Sequence, residues 1–218
     1  MFEGFSQETG DFYWELCFNN ERSWFQAHKE QFERCLNTPF RELANETFAI
    51  IEKEADPLQE LELHVARIYR DARRLFGRGP YKENLWWSIH EKGRDERASF
   101  YFELSPRAWG YGLGYWCPKS EQMEEYRRRI AANPAAFERL AKDAAASGEF
   151  VLSGEEYKRQ KGSFSPVIDP WYNRKWVSLS HEEDFGAGLF DARLPERLAD
   201  AFLRLMPLYE FLNAKNCK

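Results

Sequence analysis

The residues best equipped for chemistry lie between Arg67 and Lys82, in the run Arg67-Ile-Tyr-Arg70-Asp71-Ala-Arg73-Arg74-Leu-Phe-Gly77-Arg78-Gly79-Pro80-Tyr81-Lys82. Five arginines and one lysine stand against one aspartate, inside a chain whose net charge is -5. Guanidinium groups this close repel one another unless carboxylates or a bound anion neutralise them. Arginine suits bidentate recognition of carboxylate or phosphate, and lysine adds a point charge. The pattern predicts a site for a small anionic, phosphate-containing ligand. Arg67, Arg70 and Arg73 would grip the anion, Arg78 and Lys82 would add charge, and Tyr81 would offer a hydroxyl. Gly77 and Gly79 would let the backbone approach closely. Asp71, flanked by cations that depress its pKa, is a poor general base and is expected to orient an arginine. The same charges also fit a lattice of salt bridges to Glu62, Glu83 and Glu103, or a solvated basic face. The glycines do not have P-loop spacing.

A second cluster is Asn20, Arg22, Trp24 and His28. Its amides and imidazole could position a polar substrate, while a plainer reading makes Asn19-Asn20 a helix end and Trp24 a core residue. His64, His90 and His181 show no metal-ligand spacing, so no metal is expected, and nothing implies a cofactor. No nucleophile motif stands out, so turnover is not assigned. The aromatics Trp86-Trp87, Phe100 to Phe102, Trp109, Tyr111 and Tyr115-Trp116 fit either a sheet core or a platform for the bases of single-stranded nucleic acid. Lys158-Arg-Gln-Lys161 is a second basic patch, read as a lid over the first or as an exposed loop. The rival functions are a protein-interaction module and a single-stranded nucleic-acid binder.

Composition narrows the classes. Aromatics at 17% and hydrophobic residues at 43% supply a core that disordered chains lack. No apolar run approaches the roughly 18 residues of a membrane span, and the first residues do not read as a signal peptide. Cys17, Cys35, Cys117 and Cys217 are scattered without a C-x-x-C pair, which suits a reduced, cytoplasmic protein.

The elements that must position these groups follow from periodicity. Helices are expected at about 7–18, 21–36 and, from Thr38-Pro39, to Asp56. Residues 58–76 satisfy both a helical and an alternating period. Aromatic runs at 85–90, 99–104 and 111–116, separated by turn residues, predict an antiparallel meander. Helices then follow at 121–132 and from Asn133-Pro134, with a short strand at Phe150 to Ser153. A short helix runs from Asp169-Pro170 through Trp176. A last one from Pro195 should break or kink at Pro207. The expected class is α+β, one domain over 1–218, with N-terminal helices, a central aromatic-rich antiparallel sheet and C-terminal helices.

Arg67, Arg70, Asp71 and Arg73, followed by Pro80-Tyr81-Lys82, make the chain resemble the bacterial family called domain of unknown function 2461. Phe2-x-Gly4-Phe5, Asn19-Asn20-x-Arg22-x-Trp24-Phe25, Gly112-x-Gly114 and Pro207-Leu208 fit the same pattern. Arg74 stands where that family usually has Phe, and Phe32 where Tyr is more usual. The resemblance implies a strand at about 62–70. It implies no reaction.

Overall fold

The computed structural model describes residues 1–56, 60–71, 73, 75, 77–93 and 98–214. Arg74 and Cys217, named above, lie outside the described residues. Helix α1 (Gln7–Phe18) begins after extended Ser6 and buries Phe12, Tyr13 and Leu16. The predicted 21–36 helix is broken into α2 (Arg22–Ala27), α3 (Lys29–Phe32) and a π turn at Glu33–Asn37. The break falls at His28, whose backbone leaves the helical region (φ -113, ψ 17).

α4 (Thr38–Glu54) begins at Thr38-Pro39 as expected, but it is entered directly from the π turn, with Thr38 itself in helical backbone instead of an extended cap. The cause is local. Thr38 N–H reaches back five residues to Glu33 O, and Pro39 has no N–H to give Cys35 O. That free carbonyl instead accepts from the Thr9 hydroxyl at 2.7 Å. A helix irregularity thereby ties α1 to α4.

The sheet is six-stranded in the order β1-β2-β3-β4-β6-β5. Its strands are β1 (Leu61–Val65), β2 (Leu85–Glu91), β3 (Ser99–Leu104), β4 (Ala108–Tyr115), β5 (Val151–Ser153) and β6 (Val177–Asp184). Neighbours pair antiparallel throughout. β1 settles the ambiguous segment as strand, but it stops at Val65 rather than reaching 70. Strand β6 has no counterpart in the sequence reading. It inserts between β4 and β5, and no element was expected between Trp176 and the helix from Pro195. The short helix from Asp169-Pro170, α7, covers only Asp169–Tyr172.

Helices α5 (Ser120–Ala132) and α6 (Pro134–Ala145) follow β4, and α8 (Ala187–Phe190) and α9 (Leu194–Asn213) close the chain. One face of the sheet meets α4 and α9. Phe100 stacks on Phe202 and Tyr209 at 5.0 and 4.8 Å, and Phe40 meets Phe102 at 6.0 Å. α9 runs unbroken through Pro207, against expectation. Pro207 is exposed, and the residues around it, Leu205, Met206, Leu208 and Tyr209, are buried. Packing on both sides holds the helix across the one bond that proline removes. The fold is α+β, with helices before and after a central antiparallel sheet.

Candidate functional site

Beyond β1 the chain makes a narrow neck before the arginine loop. Tyr69 bridges Tyr81, Arg70 N–H donates to Pro80 O and Lys82 N–H to Ile68 O, both at 2.8 Å. Asn20 grips the neck from outside. Its Nδ2 donates to Tyr81 O at 3.0 Å and its Oδ1 accepts from Tyr81 N–H at 2.9 Å. A Cβ on Gly79 would lie 2.3 Å from the Asn20 carboxamide. Gly79 therefore makes room for this grip, not for the backbone approach to an anion that the sequence suggested.

Asn20 of the second candidate cluster thus meets Tyr81 of the first, far away in sequence. Phe25 of α2 stacks on the Tyr81 ring at 4.1 Å, and that ring is buried. Burial, then the neighbouring Tyr69, pushes the Tyr81 hydroxyl pKa up, against the opposing charge of Arg22. Tyr81 packs its ring against Phe25 at the neck. Trp24 and His28 stack on each other at 4.1 Å, and His28 Nδ1 lies 2.8 Å from Trp24 O. Both serve the α2–α3 junction, while Arg22 is exposed.

The cations divide into two groups. Arg70 donates from Nε to Tyr81 O at 2.7 Å and from Nη2 to Glu83 at 3.0 Å. Arg73 is held bidentately by Asp71, through Nε at 3.1 Å and Nη2 at 2.9 Å. These two carry partners that the anion-grip reading did not give them. Arg67, Arg78 and Lys82 make no ion pair among the described residues. Lys82 is half-buried, and its pKa is lowered by burial first and then by the positive charges of Arg67 and Arg70. Its ammonium lies 6.0 Å from the Trp86 ring.

Trp86 leads to a feature that the sequence reading did not locate. On the sheet face opposite α4 and α9 lies a cleft of about 700 Å³, bounded by Trp86 and Trp116 and floored by Ser88 and Tyr101, with Glu62 and Glu103 in its lining. That volume is within the range of roughly 300–1,000 Å³ typical of small-molecule sites. The register shapes one side of it. Ser99, Tyr101 and Glu103 of β3 lie opposite Gly114, Gly112 and Gly110 of β4, and these side-chain-free positions leave room for Tyr101 to reach across toward Ser178 and Ser180. At Gly112 a Cβ would meet Leu179 O at 1.9 Å. Trp116 folds back over Gly114 and meets Tyr101 edge-on at 4.9 Å. Two signals were visible in the sequence: Gly110-x-Gly112-x-Gly114, and the polar alternation Ser88-x-His90. Among the aromatics named above, Trp87, Phe100, Phe102, Trp109, Tyr111 and Tyr115 are buried, while Trp86, Tyr101 and Trp116 line the cleft.

The Lys158–Lys161 patch sits elsewhere. Lys161 N–H is bonded to Asn173 at 2.7 Å, and Tyr157 N–H to Asn173 O. These tie the segment to the β5–β6 side of the sheet, opposite the β1 edge that carries the arginines. Five strand spacings of about 4.8 Å separate those edges, so this patch is no lid over the first.

Among the described residues, no group of three or more His, Cys, Asp or Glu is placed to hold a metal ion. No described helix is long and apolar enough to cross a membrane. The family model described as conserved hypothetical protein (DUF2461) matches residues 8–211. No curated protein matches the chain in sequence.

Proposed function

The chain belongs to this family of conserved hypothetical proteins, and we propose that its arginine segment binds a small anionic, phosphate-bearing ligand. The contact residues are narrower than the motif. Lys82 and Arg67 hold the anion, Arg78 contributes from the loop, and Arg70 adds its field while bracing the neck. Arg73 stays with Asp71. The observation that carries this reading is the half-buried Lys82, disfavoured as a cation by burial and by Arg67 and Arg70, with no carboxylate paired to it among the described residues. A bound dianion would relieve that repulsion, and its attraction to several cations adds to the hydrogen bonds. Turnover is not part of the proposal.

A nucleic-acid strand laid along the adjoining face fits less well, because Glu62 and Glu103 would repel its phosphates. Thermal unfolding with inorganic phosphate, pyrophosphate and a sugar phosphate tests the proposal. A ligand at about 100 times its dissociation constant adds roughly 2.7 kcal/mol, about 5–10 °C for a chain of this size. Lys82→Gln and Arg67→Gln should each remove most of that shift. If no phosphate compound moves the wild-type transition, the proposal fails.

A further inference from the structure

The cleft on the open sheet face has chemistry opposite to that of its neighbour. Its lining holds two carboxylates, Glu62 and Glu103, three aromatic walls, and no lysine or arginine among the described residues. The carboxylates are only partly answered: Glu103 accepts from the neutral Asn84 amide at 2.6 Å, and Glu62 lies 3.2 Å from His90. Ser88 on the floor is 9% exposed and lines the cleft. An anion would be repelled here. A cation gains from the carboxylates and from the faces of Trp86 and Trp116.

The spacing defines the shape of that cation. Glu62 lies opposite His90 and Glu103 opposite Trp86, four residues apart on β2. Taking about 3.4 Å per residue along a strand and about 4.8 Å between strands, the two carboxylate-bearing positions are on the order of 17 Å apart, diagonally across the sheet. One compact ammonium cannot serve both. A flexible chain with an amine at each end can, its methylenes lying on the indoles and a central amine near Ser88. We propose that the cleft binds a linear organic polyamine, with Glu62 and Glu103 holding its ends and Trp86, Trp116 and Tyr101 lining its path. This site is separate from the anion site at Lys82, although the two share the Trp86 border.

Isothermal titration with putrescine, spermidine and spermine tests it. Affinity should rise from the diamine to the tetramine by more than a general charge effect allows. Glu62→Gln and Glu103→Gln, which keep size and an acceptor oxygen, should each weaken spermine binding by about tenfold, or roughly 1.4 kcal/mol. Trp116→Ala should weaken it as well. Glu52→Gln, which removes the same charge from the exposed side of α4, should change nothing. Lys82→Gln separates the two proposals, because it should abolish phosphate binding while leaving spermine binding equal or stronger. The polyamine assignment is overturned if spermine gives no saturable heat with a wild-type protein that unfolds cooperatively. Equal weakening by Glu52→Gln and Glu103→Gln would also overturn it, since that is attraction to net charge.

Discussion

Removing the Asn20 side chain should destabilise the whole chain and not merely loosen a loop. Asn20→Ala deletes two hydrogen bonds to the backbone of Tyr81, at 3.0 and 2.9 Å. The losses are unequal. Tyr81 O keeps the Arg70 Nε donor at 2.7 Å, so losing the amide donor there costs only about 0.5–1 kcal/mol. Tyr81 N–H has no other partner among the described residues, and a part-buried N–H left unbonded costs about 1–2 kcal/mol. The sum is near 2 kcal/mol, or a fall of about 4–8 °C in Tm for a chain of 218 residues. The double substitution with Arg70→Ala should cost more than the sum of the single ones, because both side chains donate to the same carbonyl oxygen. Thermal and urea unfolding of the two single variants and the double variant provide the cycle. A Tm for Asn20→Ala within 1 °C of wild type, or strict additivity in the cycle (~0.3 kcal/mol), would refute the clamp.

Three further outcomes follow from the same physical reasoning. Thr9→Val leaves Cys35 O without the donor that Pro39 cannot supply, so urea unfolding should show a loss of about 1–2 kcal/mol. Pro207→Ala restores an N–H to an already straight α9 and should raise stability by about 1 kcal/mol after the added freedom of the unfolded chain is deducted; an unchanged or lower midpoint contradicts it. Burial raises the Glu183 pKa, but bonds from Arg197 and from His181 (2.8 Å) outweigh it and leave the pKa lowered. The unfolded chain therefore takes the proton first as pH falls. Stability from this group is full above the unfolded pKa of about 4.3 and is lost as pH drops through the folded value. Glu183→Gln should flatten the acid limb of a Tm-against-pH curve and lower Tm at pH 7. An identical acid limb in both proteins would contradict it.

The helices and the central strands were readable because their residues repeat at the period of the element. Phe12 and Leu16, or Phe100 and Phe102, report one buried face directly. Strand β6 was not readable. Its Val-Ser-Leu-Ser-His-Glu-Glu-Asp stretch turns charged halfway along, where His181 and Glu183 meet Arg197 of α9 instead of an apolar core. Pro207 misled because the rule for an isolated helix ignores packing on either side. The arginine segment stood out by charge alone. That Asp71 would orient an arginine was readable, and it holds Arg73; which of the remaining cations lack partners was not, because that depends on which carboxylates come within reach and on Asn20, far away in sequence, holding the neck. The cleft was hidden for a related reason: its lining comes from three strands and from Trp116, brought together by a register that sequence does not print.

Two asparagines do equivalent work at opposite ends of the chain. Asn20 binds the N–H and C=O of Tyr81, and Asn213, at the end of α9, binds the N–H and C=O of Ala98 at 3.0 Å each. Each carboxamide presents the donor and acceptor of a strand neighbour where no strand is available. For Ala98 the effect is to anchor the entry to β3. For Tyr81 it places the residue before Lys82 independently of any ion pair that Lys82 makes. The position of the Lys82 backbone is then a property of the scaffold, set by backbone bonds and by the stacking of Tyr81 on Phe25. A residue whose backbone is held in that way stays in place without a counter-charge, at a standing cost in repulsion from Arg67 and Arg70, and a ligand that supplies the counter-charge does not have to order that backbone first. Arg73, by contrast, is positioned by its own carboxylate, Asp71.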